Sequence, residues 1–290
     1  MINLEEIGGV SNNFPIGDVQ SVGKKVIKPL NKKSLVIRLL LLMLLVLTIY
    51  EFANMNCRGT DIAKGFEDTL SNFKTMFLNP GSRRLTLHAA FYEVLITFGL
   101  AFLTTLFGGV IALFLGLLSA QNLAPKWVAL IIKGFVAFIR AVPTILWVLI
   151  YAVAAGLGSA AAVIGMTFHS ISYLTKAYSE SFEELDSGVI EALTASGASW
   201  WQIVFQAVIP SSASYLLSWT FVRFEINFAN AVAMGAAAGA AGIGFDLFMA
   251  SGFYFDLREV GLITYLILGF AMVLEAIGTS MKGNIKKKSA

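Results

Sequence analysis

Four polar residues interrupt otherwise apolar stretches of this 290-residue chain: Arg140, Arg223, Glu225 and Asn227. A charge at the centre of a bilayer costs about 2.5–3.5 kcal/mol on insertion scales, so such residues mark a solute pathway or an ion pair. On a helix, Arg223 and Asn227 are four apart and share a face, whereas Arg223 and Glu225 are separated by about 200°. Facing a pathway, the Arg223 guanidinium has the two-pronged geometry to grip an oxyanion, with Asn227 beside it. Glu225 is then expected to face another helix and to be neutralised by a cation, with Arg140, just ahead of Pro143, as the candidate. The alternative is a structural network of these charges that touches no solute.

Covalent chemistry has no visible seat. The sequence contains no GxxxxGK[ST] run, no HExxH and no GxSxG. His88 and His169 fall in separate segments, and Cys57 is the single cysteine. No catalytic residue, no metal site and no cofactor in this chain are therefore expected.

Two further patterns have a physical use. Between residues 179 and 210 the chain turns polar. Asp186-Ser187 offers an N-cap, and Glu191-Ala192-Leu193-Thr194-Ala195-Ser196-Gly197 reads as a helix that ends on glycine. After Ala198 and Ser199, the residues Trp200, Trp201, Ile203 and Val204 form a short amphipathic helix, and Pro210 opens the next apolar segment. This is a helix–Gly–helix elbow able to dock in a partner's groove, or a loop lying on lipid headgroups. The other pattern is a small-residue run from Ala233 to Gly244 that holds Gly235, Gly239, Gly242 and Gly244. It permits close helix approach and is read as close packing together with a gate, with a broken helix as one form. Gly108, Gly109 and Gly116 are assigned to helix packing.

The elements that must position these residues are membrane helices. Apolar residues make up 57% of the chain and charged residues only 13%, about half the 25% of an ordinary soluble domain. The net charge of +3, without a dense basic face, excludes a nucleic-acid binder. Six stretches reach the ~20 residues that span a bilayer: 35–52, 92–119, 128–151, 159–178, 211–234 and 260–281. The predicted fold class is thus all-α and polytopic. The division is a cytoplasmic leader 1–33, a first span with an external loop 34–88, a core 89–282 containing the cytoplasmic loop 179–210, and a basic tail 283–290. The first span is expected to be a retained anchor, since no small-residue cleavage site follows it. Lysines in leader and tail place both termini in the cytoplasm. Arg58, Lys64, Lys74, Arg83 and Arg84 in the outer loop count against that orientation.

The loop carries a resemblance. EAAxxxG followed by nine residues and IxLP is the EAA motif of ABC-importer permeases, and Glu191, Ala192, Gly197 and Pro210 fall on matching positions. Leu193, Ala207 and Ile209 depart mildly from it. Arg140-Ala141-Val142-Pro143-Thr144, His169-Ser170-Ile171, Arg223-Phe224-Glu225-Ile226-Asn227 and Gly239 to Phe245 make the chain most similar to permeases of phosphonate-type importers, over about residues 90–282. The resemblance implies a type I permease fold. It also implies a homodimer of permeases, two ATPase subunits that hold the ATP and Mg, an external binding protein, and a prokaryotic plasma membrane. The cargo would be phosphonate or a related phosphorus oxyanion such as phosphite or a phosphate ester. A permease for another solute such as an amino acid, or an ATPase-independent transporter or channel, is the competing reading. Glu191, Ala192, Gly197, Ala198, Ser199, Trp200 and Pro210 would then form the ATPase-coupling element, with the helix after Gly197 inserted in the ATPase.

Overall fold

The computed structural model describes residues 32–54 and 61–289; the leader up to residue 31 and Cys57 lie outside the described residues. The chain divides into two compact units, Met1–Asp61 and Ile62–Ala290. Within the first, α1 (Lys32–Asn54) buries none of its residues. It is long and apolar enough to cross a bilayer, as the uncharged run from Leu39 to Tyr50 predicts.

The second unit begins at Ile62, upstream of residue 89. The expected external loop contains a helix, α2 (Ile62–Leu78), which escapes a search for apolar runs because its pattern is amphipathic. It packs on α11 (Leu257–Ser289). The Tyr265 hydroxyl donates to the Phe77 carbonyl at 2.8 Å, and Gly261 admits the Met76 carbonyl where any side chain would collide. One cation of this loop, Arg84, lies 3.7 Å above the Tyr254 ring, and Arg258 at the start of α11 donates from Nε to the Asn79 carbonyl.

Next come α3 (Leu87–Ser119), α4 (Lys126–Ala141), α5 (Thr144–Ala155) and α6 (Ser159–Glu183). Thr86 caps α3 by accepting from the Ala89 N–H. The predicted third span is not one helix. Pro143 has no N–H and restricts Val142 to extended backbone, so α4 and α5 meet at a bend of 85°. Helix α6 is the centre of the unit, with fifteen residues buried. Among the described residues three helices are apolar enough to cross a membrane alone, and two bent pairs raise the number to five. The expected fourth span, α6, is not among them. Its Ser and Thr side chains face neighbouring helices rather than lipid, which is why a central membrane helix can be polar. The α3–α6 seam is set by glycine: a Cβ at 108 would stand 2.6 Å from that of Ser170, and one at 116 would stand 3.0 Å from that of Tyr178. This is the packing role expected of both.

After α6 come α7 (Ser187–Ala195), α8 (Trp200–Ile203), a π-turn (Val204–Val208) and α9 (Ile209–Ala238). The helix expected to stop before Pro210 does not stop. The widened π-turn absorbs the missing N–H and the ring of Pro210, so Trp200–Ala238 is one continuous helical run, roughly 58 Å long at 1.5 Å per residue. A 55° bend then leads into α10 (Ile243–Phe248) and a second π-turn (Met249–Phe253). Helix α11 follows and continues through the basic stretch 283–289.

Candidate functional site

Three groups of residues sit along the Trp200–Ala238 run. At its start, the chain folds into the elbow. The Asp186 side chain accepts from the Gly188 N–H at 2.9 Å and starts α7. At the other end, Ala198 N–H returns to the Leu193 carbonyl and Gly197 N–H to that of Thr194. This is the Schellman closure, and it needs a residue at positive φ; Gly197 stands at +83°. Gln202 reaches back to accept the Ser199 N–H at 2.7 Å. Trp200 then donates its indole N–H to the Leu123 carbonyl at 2.9 Å, fixing the elbow to the α3–α4 turn. Helix α8 is therefore a packed anchor: Ile203, Val204 and Val208 are buried with Phe182 and Leu117. Helix α7 is the projecting element. Only Ile190 and Leu193 are partly covered, and Glu191, Ala192, Thr194 and Gly197 are exposed. Helix α7 is thus more exposed than the helix after Gly197, in which Trp201 and Gln202 are exposed and Ile203 is buried. Trp201 is exposed and stacks on Phe205 at 5.9 Å, and Pro210 lies in the first turn of α9.

Midway along the run, Arg223 and Asn227 share a face, as their spacing predicts, and both point inward. Arg223 is 1% exposed and Asn227 is fully buried. Arg223 Nε donates to Ser170 Oγ at 3.1 Å, and Nη2 lies 3.2 Å from His169 Nδ1. The guanidinium also sits 5.2 Å from the Tyr173 ring centre. The Asn227 amide donates to Thr105 Oγ1 at 2.8 Å and to Ser170 Oγ at 2.9 Å. One polar lock thereby joins α3, α6 and α9. Ser170 and Thr105 were missed from sequence, since a serine or threonine in a helix carries no signal until its neighbours are known.

Glu225 and Arg140 are not brought together. Glu225 lines a cavity facing α11 with Leu274, Glu275 and Thr279, whereas Arg140 lines another with Lys133, Lys176 and Glu183. The turn of about 200° between 223 and 225 points Glu225 toward α11, as the expectation that it faces another helix had it, and the bend at Pro143 keeps Arg140 beside α6.

At the end of the run the small residues form a break. Gly239 closes α9 at φ +60°, and Gly242 opens α10 at +111°. The loose peptide groups are pinned: Gly158 N–H donates to the Ala238 carbonyl at 2.9 Å, Ala241 N–H to Ser159 Oγ, and Ile243 N–H to Thr97 Oγ1, both at 3.0 Å. Gly235 and Gly244 let α9 and α10 touch through backbone. A Cβ at 235 would stand 2.5 Å from Phe245 N, and one at 244 would collide with the Val232 carbonyl. The Gly235/Gly239 spacing is thus not a continuous helix–helix motif. Among the described residues no group of His, Cys, Asp or Glu could hold a metal ion.

Long apolar helices, broken spans and a polar lock buried between them define a polytopic helical membrane protein. The chain belongs to the family of binding-protein-dependent transport system inner membrane components, which it matches over residues 112–288. It is 30% identical over 156 residues to the phosphate-import permease protein PhnE of Mycolicibacterium smegmatis, covering 52% of this chain and 29% of that protein. It is 29% identical over 178 residues to the phosphite transport system permease protein PtxC of Stutzerimonas stutzeri, covering 61% and 64%. The chain thus spans less than two thirds of the length of these curated relatives. The fold matches a chain of the inward-facing MetNI methionine ABC transporter with a TM-score of 0.60 at 21% identity, over 66% of this chain and 94% of that one.

Proposed function

We propose that this chain is the permease subunit of an ATP-driven importer, a passive helical gate moved by a separate motor. The observation that carries this reading is the elbow. Helix α7 projects Glu191 and Ala192 from the body, while Trp200 and the buried face of α8 tie its far side to a long continuous helix. A lever of this form suits a subunit without a nucleotide-binding loop of its own. Two ATPase copies, holding ATP and Mg, would grip α7 and the Gly197 turn. A second permease copy and an external binding protein complete the assembly, in a prokaryotic plasma membrane with both termini cytoplasmic. Motion at the elbow would pass along the Trp200–Ala238 run to the glycine break, the gate. Arg223 and Asn227 act between them as the fastening of that run to α3 and α6 rather than as the cargo's grip, because their hydrogen-bonding groups already face Ser170, His169 and Thr105.

We infer a phosphorus oxyanion as cargo, supported by the relatives named for phosphate and phosphite. The methionine import system permease protein MetP of Bacillus subtilis, 28% identical over 170 residues, supports an amino acid as the second reading. Uptake of phosphite, methylphosphonate and methionine by the assembled transporter in liposomes decides between them. The expected result is ATP-dependent phosphite or phosphonate import. Accumulation of any solute against its gradient by this chain alone would overturn the permease reading.

A further inference from the structure

Between α4 and the second half of α6 lies a cavity of about 220 Å³, lined by Ser119, Lys133, Arg140, Thr175, Lys176 and Glu183, among others. A water molecule occupies about 30 Å³ in the liquid, so the space admits a small polyatomic ion. Its charges are unevenly matched. Lys133 Nζ lies 2.9 Å from Glu183 Oε1, and Lys176 Nζ lies 3.6 Å from Glu180 Oε1. Glu183 Oε1 also accepts the Gln121 N–H at 2.9 Å, so both carboxylates are engaged. Arg140 makes no ion pair among the described residues.

The hydroxyls of the lining tell the same story. Ser119 and Ser179 donate back to carbonyls of their own helices, Gly116 and Lys176. Thr175 does not: it is 1% exposed, and its Oγ1 has no hydrogen-bond partner among the described residues. A buried hydroxyl left unmade is costly and calls for a partner. The two carboxylates of the lining are held at Oε1 by Lys133 and Lys176, whereas the Arg140 guanidinium and the Thr175 hydroxyl are donors left open to an added anion.

We propose that this cavity is an oxyanion site inside the permease. The Arg140 guanidinium and the Thr175 hydroxyl are its donors, Lys133 stands alongside, and a small phosphorus oxyanion such as phosphite is its ligand. The assignment rests on the cargo reading above. The planar fork of Arg140 matches two oxygens of a tetrahedral anion. The site adjoins Glu183, the last residue of α6, and α7 begins at Ser187, so cargo held there lies next to the coupling elbow.

The test uses the full chain in lipid nanodiscs without its partners, and follows phosphite binding by phosphorus NMR line broadening. The wild type should bind phosphite in preference to sulfate. Arg140→Gln and Thr175→Val should each weaken binding about tenfold, the loss of one charge-assisted hydrogen bond, while Thr175→Ser retains it. Thr175→Val removes a hydroxyl that bonds to no protein atom, so it should unfold no earlier than the wild type, which separates lost binding from lost fold. No binding by the wild type, equal affinity for sulfate, or unchanged binding in both variants overturns the site. If the assembled transporter imports phosphite while both variants' chains bind it normally, the site alone fails. If it imports methionine and not phosphite, the cargo reading falls and the site with it.

Discussion

Gly197 and Gly242 both take a backbone that side chains rarely adopt, at φ +83° and +111°, and each adjoins the end of a helix. Their surroundings differ. A Cβ added at Gly197 meets nothing within 4 Å, whereas one at Gly242 would run into Thr97 Oγ1. Glycine in the elbow is required by conformation alone, and glycine in the break by conformation and by space. The elbow is held on one side by Trp200 and left open on the other. The break is tied to α3 and α6 through Thr97, Gly158 and Ser159. A region that must meet a partner is built to project, and a region that must keep a seal is built to be filled. Both ends share one helical run, so the contrast can be probed by substitutions along it.

The largest effect is expected at the break. Gly244→Val forces a side chain into the Val232 carbonyl, and Gly235→Val forces one into the backbone of α10. Neither neighbour is a flexible side chain that can swing away. Overpacking of this kind costs on the order of 3 kcal/mol. The folded yield in detergent, read by size exclusion and thermal unfolding, should collapse for both. A native midpoint in either would mean that α9 and α10 are not in backbone contact.

Next in size is the lock. Arg223→Ala removes donors from Ser170 and His169 and leaves a void in a buried site, a loss of about 2–4 kcal/mol. Arg223→Lys keeps the charge and loses the fork, so it should recover only part of the unfolding midpoint. If Arg223→Lys is as stable as the parent yet transport stops, Arg223 serves the solute rather than the scaffold. Trp200→Ala comes third, at about 2 kcal/mol from the lost bond to Leu123 and the lost packing. Trp201→Ala, at an exposed ring, should leave the midpoint unchanged. Equal midpoints for the two would deny the anchor role of α8.

How much of this was legible beforehand depended on whether a residue's role is local. The cap at Asp186, the Gly197 turn and the shared face of Arg223 and Asn227 follow from spacing, and all three stand as read. The long apolar runs also marked α3 and α11. Such a run says nothing of what a helix meets. Helix α6 was taken for an ordinary apolar span, though its hydroxyls show that it is enclosed by protein. Pro143 was read as a neighbour of Arg140 rather than as a bend of 85°, and Pro210 as the opening of a segment rather than as a position that a continuous helical run passes behind a π-turn. The pairing of Arg140 with Glu225 failed for the same reason, since charge complementarity does not specify which side of a helix faces which neighbour. Ser170, Thr105 and Thr97 join helices through partners more than fifty positions away, and Thr175 matters only for the cavity it faces, so no pattern along the chain reveals them.

The smallest structural effect is expected in the elbow, and there stability and function should separate. Gly197→Ala places a side chain at φ +83° in open space, a cost of about 1–2 kcal/mol that falls on a turn outside the buried core. Glu191→Lys alters an exposed position on α7, so its unfolding midpoint should match the wild type. Under the proposed function, the same reversal of charge should impair capture of the ATPase, and uptake should fall together with the amount of ATPase that co-purifies. A Glu191→Lys chain that keeps its midpoint, its ATPase and its uptake would show that α7 projects without docking. The contrast between an open elbow and a filled break would then describe the fold and not its work.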